Sequence, residues 1–176
     1  MNRTAYPDRS LHTASSALVP ADFLQSIFVA ELLVPSSRLW ISSPWISDVE
    51  LIDNSGRQFS SLSPTWPADR IRLATILRTL LERGGRAAIF TNESRHNDEF
   101  VDRLTEMRTE FDGLSVARVA TLHEKGIVAD RFALDGSMNL TYNGVYVNEE
   151  YLIFRTDPAA VAERRLTLEN RWREFL

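Results

Sequence analysis

The sequence predicts an α/β fold in which helices cover both faces of a mixed β-sheet. Segments with apolar residues at helical spacing alternate along the chain with short apolar segments that are typical of buried strands. The chain has 176 residues, of which 44% are hydrophobic. This is enough to cover a sheet with helices, so we expect one compact domain over residues 1–176.

The first helix is predicted over residues 21–34. Pro20 suits a helix start and Pro35 cannot continue a helix. The apolar residues that share one face at helical spacing are Phe23, Leu24, Ile27, Phe28 and Leu32. A buried strand is predicted next, over 38–42, and it leads into Ser43-Pro44-Trp45.

The alternation continues to the end of the chain. A helix is predicted over 68–83, with Gly84-Gly85 as its stop signal. A pair of short strands is predicted between the strands over 115–120 and 151–156. The remaining strands and helices are predicted, in order, over 86–91, 98–111, 115–120, 151–156 and 158–175.

The segment 46–67 is predicted to be a long irregular loop near the active site, because it follows a strand and exceeds a routine connection. Loops that leave the carboxyl ends of strands surround the ligand crevice of an open α/β sheet. We hypothesise that this segment, with Trp45, Phe59 and Trp66, forms a wall or lid that selects substrate. The alternative is that these aromatic side chains pin a surface loop to the core.

The chemistry is predicted to centre on Lys125, the only lysine of the chain, which stands two residues after His123. Imidazole can attack phosphorus and can also carry protons near neutral pH. Lysine, asparagine and serine can hold phosphate oxygens. If this segment is a strand, His123 and Lys125 point to the same face. The residues in this pattern are His123, Lys125, Asp130, Gly136, Ser137 and Asn139.

This pattern, His-x-Lys-x4-Asp followed by Gly-Ser-x-Asn, resembles the signature of the phospholipase D superfamily. Five residues separate Asp130 from Gly136, one fewer than is usual in that family. The resemblance implies a phospholipase D-like sheet and a metal-independent phosphodiesterase that needs no cofactor. It assigns His123 as the nucleophile that forms a phosphohistidine. The remaining implied roles are phosphate binding for Lys125, Asn139 and Ser137, imidazole orientation for Glu150, and structural support for Asp130 and Gly136.

The family places two such motifs face to face, whereas this chain carries one. His12 and His96 lack a lysine two residues later. The second imidazole must then come from a second chain, which implies a homodimer with one shared site. His123 of one subunit would attack while His123 of the partner subunit carries the proton.

Composition limits the functional classes. The formal net charge of −4 does not suggest a broadly basic surface for coating nucleic acid. The chain has no cysteine and no segment of membrane-spanning length. Residues 1–21 show no apolar signal-peptide region, so we expect a cytoplasmic protein. No clustered His, Asp or Glu set has metal-ligand spacing, so no metal site is predicted.

Small single-motif members of this family are most often nucleases, so DNA is the expected substrate. Ser43-Pro44-Trp45 and the acidic loop after it also resemble phospholipase D-like proteins encoded with bacterial 7-deazaguanine DNA-modification clusters. That resemblance implies partner proteins of a DNA modification and restriction system. The alternative is a non-catalytic dimeric module that binds DNA or partners. A lipid substrate is disfavoured because no basic amphipathic helix is present.

Three further sets of residues have open or modest assignments. Arg95 and His96 either line the crevice or belong to a solvated loop. The arginines of the closing helix are expected to pair with glutamates of that helix on a solvent face. Tyr142, Asn143 and Tyr146 shape either the mouth of the pocket or the dimer interface.

Overall fold

The computed structural model describes residues 8–12 and 20–176 of the chain. The strands are β1 (Arg9–His12), β2 (Leu39–Ser42), β3 (Glu50–Asp53), β4 (Arg70–Arg72), β5 (Ala87–Thr91), β6 (Leu114–Arg118), β7 (Gly126–Val128), β8 (Ala133–Gly136) and β9 (Tyr151–Arg155). The α-helices are α1 (Pro20–Leu33), α2 (Leu73–Glu82), α3 (Asp98–Glu110), α4 (Tyr142–Tyr146) and α5 (Pro158–Arg171). Short 3-10 helices cover Arg95–Asn97 and Arg173–Phe175.

The main sheet has the strand order β1-β9-β8-β7-β2-β5-β6. Strands β2, β5 and β6 run parallel to one another. Strands β7, β8, β9 and β1 extend the sheet on the other side of β2 through antiparallel pairs. The predicted mixed sheet is therefore confirmed.

Alternating side chains of the central strands build two separate apolar layers. Leu39, Ile41 and Ile89 pack into a large core with residues of α1, α2 and α3. Trp40 and Phe90 point to the opposite face and pack with residues of α5 and with Trp172. Because strand side chains alternate with period two, one sheet is buried by helices on both faces, as predicted.

The aromatic layer beneath α5 fixes that helix against the sheet. The rings of Phe90 and Trp172 stack with centroids 4.5 Å apart. At the start of α5, the Asp157 carboxylate accepts hydrogen bonds from the backbone amides of Ala159 and Ala160. Pro158 occupies the first turn, where its missing N–H costs nothing.

The segment predicted to be irregular over 46–67 contains a strand, β3, which pairs with β4 as an antiparallel hairpin. The helix predicted from residue 68 begins at Leu73, because Arg70–Arg72 is extended and paired. Trp66 is 3% exposed, and its indole N–H donates to the Thr79 hydroxyl over 3.0 Å. The strand β1 and the short helix α4 were not predicted.

No helix among the described residues is long and apolar enough to cross a lipid bilayer. Much of the N-terminal stretch used in the expectation of a cytoplasmic protein, residues 1–7 and 13–19, lies outside the described residues.

Candidate active site

The residues of the motif other than Asp130 lie near one edge of the main sheet. Ser42 of β2 is paired with Gly126 of β7, and Gly126 is paired with Asp135 of β8. Gly136 in turn is paired with Leu152 of β9. This register brings together the residues that flank these strand ends, which are Ser43, Lys125, Ser137 and Glu150. The edge also carries the carboxyl ends of the parallel strands, where α/β proteins bind ligands.

His123 and Lys125 lie just before β7, in an irregular segment rather than in a strand. The Lys125 ammonium donates a hydrogen bond to the His123 carbonyl oxygen over 2.9 Å. Between them, the Glu124 carboxylate accepts hydrogen bonds from Arg164 and Arg171, which belong to α5. Glu124 is thus fixed towards α5, whereas the strand expected to carry His123 and Lys125 begins only at Gly126. His123 itself is exposed.

The Glu150 carboxylate is near enough to Lys125 to interact electrostatically with its ammonium group. Burial lowers the pKa of Lys125 below 10.5, and the nearby Glu150 carboxylate opposes that shift. Glu150 is 8% exposed. A carboxylate this deeply buried needs partners, and a lysine ammonium is a favourable one.

Two side chains hold the Glu150 carboxylate in place. The Ser137 hydroxyl donates to one carboxylate oxygen, and the Asn148 amide donates to the other over 3.3 Å. The Ser137 oxygen also accepts from the Tyr151 amide over 3.0 Å. Since a serine hydroxyl has one proton to donate, that proton is committed to Glu150 in this geometry.

Asn139 lies in a cavity of about 310 Å³. Its side-chain oxygen accepts from the Trp45 amide over 3.3 Å. Among the described residues, no acceptor takes the hydrogens of its Nδ2 group. The other residues that line this cavity are Trp45, His96, Thr141, Asn143 and Asn148. Because Asn148 also contacts Glu150, the cavity adjoins the Lys125 and Glu150 pair.

The backbone of Pro44 and Trp45 is held rigidly at this cavity. The buried Asn97 side chain donates to the Pro44 carbonyl over 2.9 Å and accepts from the Ile46 amide over 2.9 Å. The Ser43 hydroxyl donates to the Trp45 carbonyl over 2.7 Å. The Trp45 side chain itself remains 51% exposed, so its ring is presented to solvent at the cavity wall.

Asp130 lies at the opposite end of β7 from Lys125. Its carboxylate accepts from the Ser37 amide over 2.7 Å and from the Ser37 hydroxyl over 2.8 Å. Arg165 of α5 pairs with it at 3.0 Å. These contacts join the β7–β8 turn to the segment before β2 and to α5. Asp130 is therefore not brought into the site.

Gly136 is required by close approach of the backbone. A Cβ atom at this position would lie 2.1 Å from the Tyr151 carbonyl oxygen, so the paired β9 leaves no room for a side chain. The shortened β7–β8 hairpin closes with a hydrogen bond from the Ala129 amide to the Phe132 carbonyl over 2.9 Å. This tight turn lies at the end of the hairpin away from Ser137 and Asn139.

For several residues that line the cavity, the sequence led to either no prediction or two alternatives. His96 lines the cavity, while Arg95 is exposed and does not. Asn143 lines the same cavity, whereas the Tyr146 hydroxyl donates to the Glu50 carbonyl over 2.7 Å. Thr141, Asn143 and Asn148 line this cavity and follow Gly-Ser-x-Asn closely along the chain, which was the available signal for them. His96 is distant from that motif in the sequence and has no such signal.

Gly144 supports Asn139 and was also missed. A Cβ atom at Gly144 would lie 2.1 Å from the Asn139 carbonyl oxygen. The Thr141 hydroxyl accepts from the Gly144 amide over 3.2 Å and so caps α4 against this backbone. The turn that carries Asn139 and the start of α4 therefore form one tightly packed unit.

The three aromatic residues of the wall or lid hypothesis have different positions in the structure. Trp45 lines the cavity. Trp66 is buried in the core, and Phe59 packs against the same core, so these two follow the alternative in which aromatic residues pin the segment.

The expectation that the α5 arginines pair within their helix is wrong for Arg164 and Arg171. Both reach Glu124 near β7, and Arg164 also pairs with Asp135 of β8 at 3.0 Å. The helix turns these side chains towards the sheet, where the carboxylates of Glu124 and Asp135 lie within reach. Arg165 does pair with Glu169 of α5, at 3.8 Å.

Within residues 8–12 and 20–176, no group of three or more His, Asp or Glu side chains is placed to hold a metal ion.

Comparison with known proteins bears on this arrangement. The family model described as cardiolipin synthase, PLD-like domain, matches residues 49–172, which is more than half of the chain. No curated protein matches the chain.

Solved structures show the same fold. NucT from Helicobacter pylori aligns with a TM-score of 0.61 at 12% identity, covering 93% of this chain and 94% of its own. Nuc from Salmonella typhimurium, a phospholipase D family member, aligns with a TM-score of 0.58 at 14% identity, covering 95% of this chain and 94% of its own. Polyphosphate kinase from Porphyromonas gingivalis gives 0.62 at 12% identity, covering 93% of this chain and 25% of its own.

At these identities the structural likeness establishes a shared fold, and the family model identifies the lineage through a match that includes His123, Lys125, Ser137, Asn139 and Glu150. The chain therefore belongs to the family of phospholipase D-like domains.

Proposed function

We propose that this protein is a metal-independent phosphodiesterase that cleaves DNA through a phosphohistidine intermediate. The observation that carries the proposal is the contiguous group at the sheet edge. Lys125 lies beside a buried Glu150, and Asn148 connects that pair to the cavity that holds Asn139. Cationic and neutral donors next to an exposed imidazole are what transfer of a phosphoryl group needs.

In the first step, an imidazole nitrogen of His123 attacks the phosphorus of the scissile phosphodiester. The bond from phosphorus to the leaving oxygen breaks, and that oxygen takes a proton from a second imidazole. The Lys125 ammonium and the Asn139 amide stabilise the charge on the non-bridging oxygens. Asn139 suits this role because its side-chain oxygen is committed to Trp45, which leaves its Nδ2 hydrogens for an anion.

In the second step, water attacks the phosphohistidine. The second imidazole, now neutral, takes a proton from the water, and the bond from His123 to phosphorus breaks. The product is a phosphomonoester and His123 is regenerated.

Glu150 orients the attacking imidazole and balances the charge of Lys125 in this proposal. Ser137 acts through Glu150, because its hydroxyl proton is directed at that carboxylate. We therefore assign Ser137 as a positioning residue rather than as a direct phosphate donor.

The second imidazole is proposed to be His123 of the partner subunit in a homodimer. The chain carries a single His-x-Lys motif, and an isologous interface would bring two copies of it together. A mixed dimer of one wild-type and one His123→Ala subunit then has either a nucleophile or a proton donor, never both. Its activity should fall far below half that of the wild-type dimer. An activity of one half would show that each subunit works alone.

The first experiment is hydrolysis of bis(p-nitrophenyl) phosphate and of single- and double-stranded DNA in EDTA, comparing wild type with His123→Ala. Activity that survives chelation and disappears in the variant supports the proposal. Loss of activity in EDTA, with recovery on adding a divalent metal, would contradict it. Trapping of a labelled, acid-labile phosphoprotein in the wild type would identify the covalent intermediate.

A DNA modification and restriction system is the proposed setting, supported by the resemblance of Ser43-Pro44-Trp45 and the acidic loop after it to proteins encoded with DNA-modification clusters. Partner proteins of such a system would then be required for full activity. The test is whether added partner proteins raise the DNA cleavage rate of the wild type and leave His123→Ala inactive.

One observation favours the alternative of a non-catalytic dimeric module. In the single chain, no described residue accepts or donates a hydrogen bond at the His123 ring, so the orientation proposed for Glu150 has to arise in the assembled, substrate-bound site. Retention of DNA without turnover, by a folded dimer with its partners present, would support this binding role. A lipid substrate has no comparable support.

A further inference from the structure

A second cavity, of about 400 Å³, lies beside the cavity of Asn139. His96 lines both cavities and so forms part of the wall between them. Tyr142, which lines the second cavity, directly follows Thr141, which lines the first. A substrate strand bound at the candidate active site would therefore pass close to a space that the proposed reaction does not use.

The charges around this space do not suit a phosphate group. Carboxylates outnumber guanidinium groups among the residues that line it, which include Asp48, Glu50, Glu99, Arg72 and Arg103. A channel for the nucleic-acid backbone carries a positive surplus instead. The ligand of this cavity should accordingly be a neutral group that can use both donors and acceptors.

These donors and acceptors are fixed in place. The Arg72 guanidinium donates to the Glu50 carboxylate over 2.7 Å and to the Asp48 carbonyl over 2.9 Å. Arg103 donates to the Asp48 carboxylate, which also accepts from the Ala74 amide over 2.8 Å. A guanidinium has five N–H groups, so each arginine keeps donors for a ligand. The cavity is therefore largely preformed.

An aromatic surface stands at the mouth of the cavity. Tyr142 is 65% exposed, and its ring lies 5.3 Å from the ring of Tyr146, measured between centroids. Tyr146 is anchored by its hydrogen bond to the Glu50 carbonyl. Deeper in, Phe100 lines the cavity with a side chain that is 2% exposed. The cavity therefore combines an aromatic ring on which a flat ligand can stack with polar side chains that can hydrogen-bond to its edge.

We propose that this cavity is a nucleobase pocket, which takes an unpaired base of the substrate strand adjacent to the phosphodiester at His123. A nucleobase is neutral and flat, and its edge carries both donors and acceptors, which matches the lining. Base stacking on an aromatic side chain is the common means of holding single strands. The inference rests on the proposed function, since it places the base relative to the reacting phosphate.

The test uses the full chain with His123→Ala, so that bound oligonucleotides stay intact. Fluorescence anisotropy measures the Kd of a labelled single-stranded oligonucleotide and of a series in which one position at a time is abasic. We expect Tyr142→Ala to weaken binding of the intact strand about tenfold, as expected for the loss of one base stack. The strand that is abasic at the pocket position should bind this variant and the parent equally well.

Two further variants exclude a merely structural effect. Tyr142→Phe keeps the ring and should bind like the parent. Glu99→Gln, which alters an exposed carboxylate of the lining, should change the ranking of strands that differ in the base at that position. Glu106→Gln is the matched control, because Glu106 is an exposed glutamate of the same helix that does not line the cavity.

The inference fails if Tyr142→Ala weakens intact and abasic strands alike, or weakens neither, or if the parent binds no oligonucleotide. Hydrolysis of bis(p-nitrophenyl) phosphate by the wild type distinguishes these failures from failure of the proposed function. That small substrate reports on the site at His123 and has no base to place in the pocket.

Discussion

The carboxylate of Glu124, which stands between His123 and Lys125, is held by the guanidinium of Arg164 on α5. Arg164 also pairs with Asp135, whose other oxygen pairs with Arg155 at 2.8 Å. Helix α5 is thereby tied to β8 and to the irregular segment that leads into β7. These contacts hold an irregular segment that has no strand partner of its own at His123.

Replacing Arg164 with alanine should destabilise the fold and reduce turnover together. The change leaves Glu124 and Asp135 short of a partner in a half-buried place, so we expect a loss of about 1–3 kcal/mol in the free energy of unfolding. Urea denaturation measures this loss. Arg173→Ala is the control, because Arg173 is exposed and donates only to Asn170 among the described residues. An Arg164→Ala protein as stable as this control would contradict a structural role for the pair.

Lys125 should titrate below its ordinary value. Burial lowers the pKa of Lys125 below 10.5, while the Glu150 carboxylate raises it. The ammonium is charged below that lowered pKa and loses its charge as pH rises through it. In Glu150→Gln the opposing carboxylate charge is gone, so the pKa should fall further and the alkaline limb of kcat/KM should move to lower pH.

The measurement is direct because Lys125 is the sole lysine. Protein labelled in lysine gives one side-chain NMR signal to follow against pH, with Glu149→Gln as a control that changes the exposed neighbouring carboxylate. A Lys125 pKa at or above 10.5 in the wild type, or one unchanged in Glu150→Gln, would remove the electrostatic pair.

Local sequence pattern was sufficient for the layered fold. Leu39 and Trp40 are consecutive residues of a strand, so they must lie on opposite faces of β2. Pro20 marks a helix start and Gly84 a helix end, because proline has a fixed φ and glycine can adopt a positive φ. The β3–β4 hairpin could not be predicted in the same way. It depends on pairing across the long segment between Asp53 and Arg70, and that pairing carries no local period.

The same distinction between local pattern and tertiary contact applies to the residues of the candidate site. Lys125 and Asn139 could be identified from the sequence, because their residue types and their spacing in the motif indicate phosphate binding. Asn148 and Gly144 are not, because their roles arise from contacts with Glu150 and with the Asn139 backbone. The hydrogen bond from the Ser137 hydroxyl to Glu150 likewise could not be predicted, because it depends on the pairing of β8 with β9.

Asp130→Ala should lower stability without altering the pH dependence of the reaction. The variant loses three contacts, to the Ser37 amide, the Ser37 hydroxyl and Arg165, which together are worth about 1–3 kcal/mol. Thermal or urea unfolding gives the first effect, and the pH profile of kcat/KM gives the second. A shifted profile in the folded variant would place Asp130 in the chemistry after all.

Gly144→Ala should damage the site through the backbone of Asn139. The added Cβ would meet the Asn139 carbonyl oxygen at 2.1 Å, so the turn must move, at a cost of about 1–3 kcal/mol. We expect KM for DNA to rise, because Asn139 no longer faces the cavity correctly. Gly56→Ala is the matched control, since its Cβ would meet the movable end of the Gln58 side chain. Equal effects of the two substitutions would exclude a role for this close packing.

Trp45→Ala should weaken the use of DNA more than the use of a small phosphodiester. The ring is half exposed at the cavity wall, while its backbone is fixed by Asn97 and Ser43, so the substitution removes a surface and leaves the frame in place. Loss of one stacking surface corresponds to about 1–3 kcal/mol, which is roughly a fivefold to 150-fold rise in KM for single-stranded DNA. Trp45→Phe should restore most of this loss, because a smaller ring still stacks. If Trp45→Ala changed neither turnover nor substrate preference, Trp45 would be a passive part of the wall and the selectivity of the site would have to come from Asn139 and the neighbouring cavity.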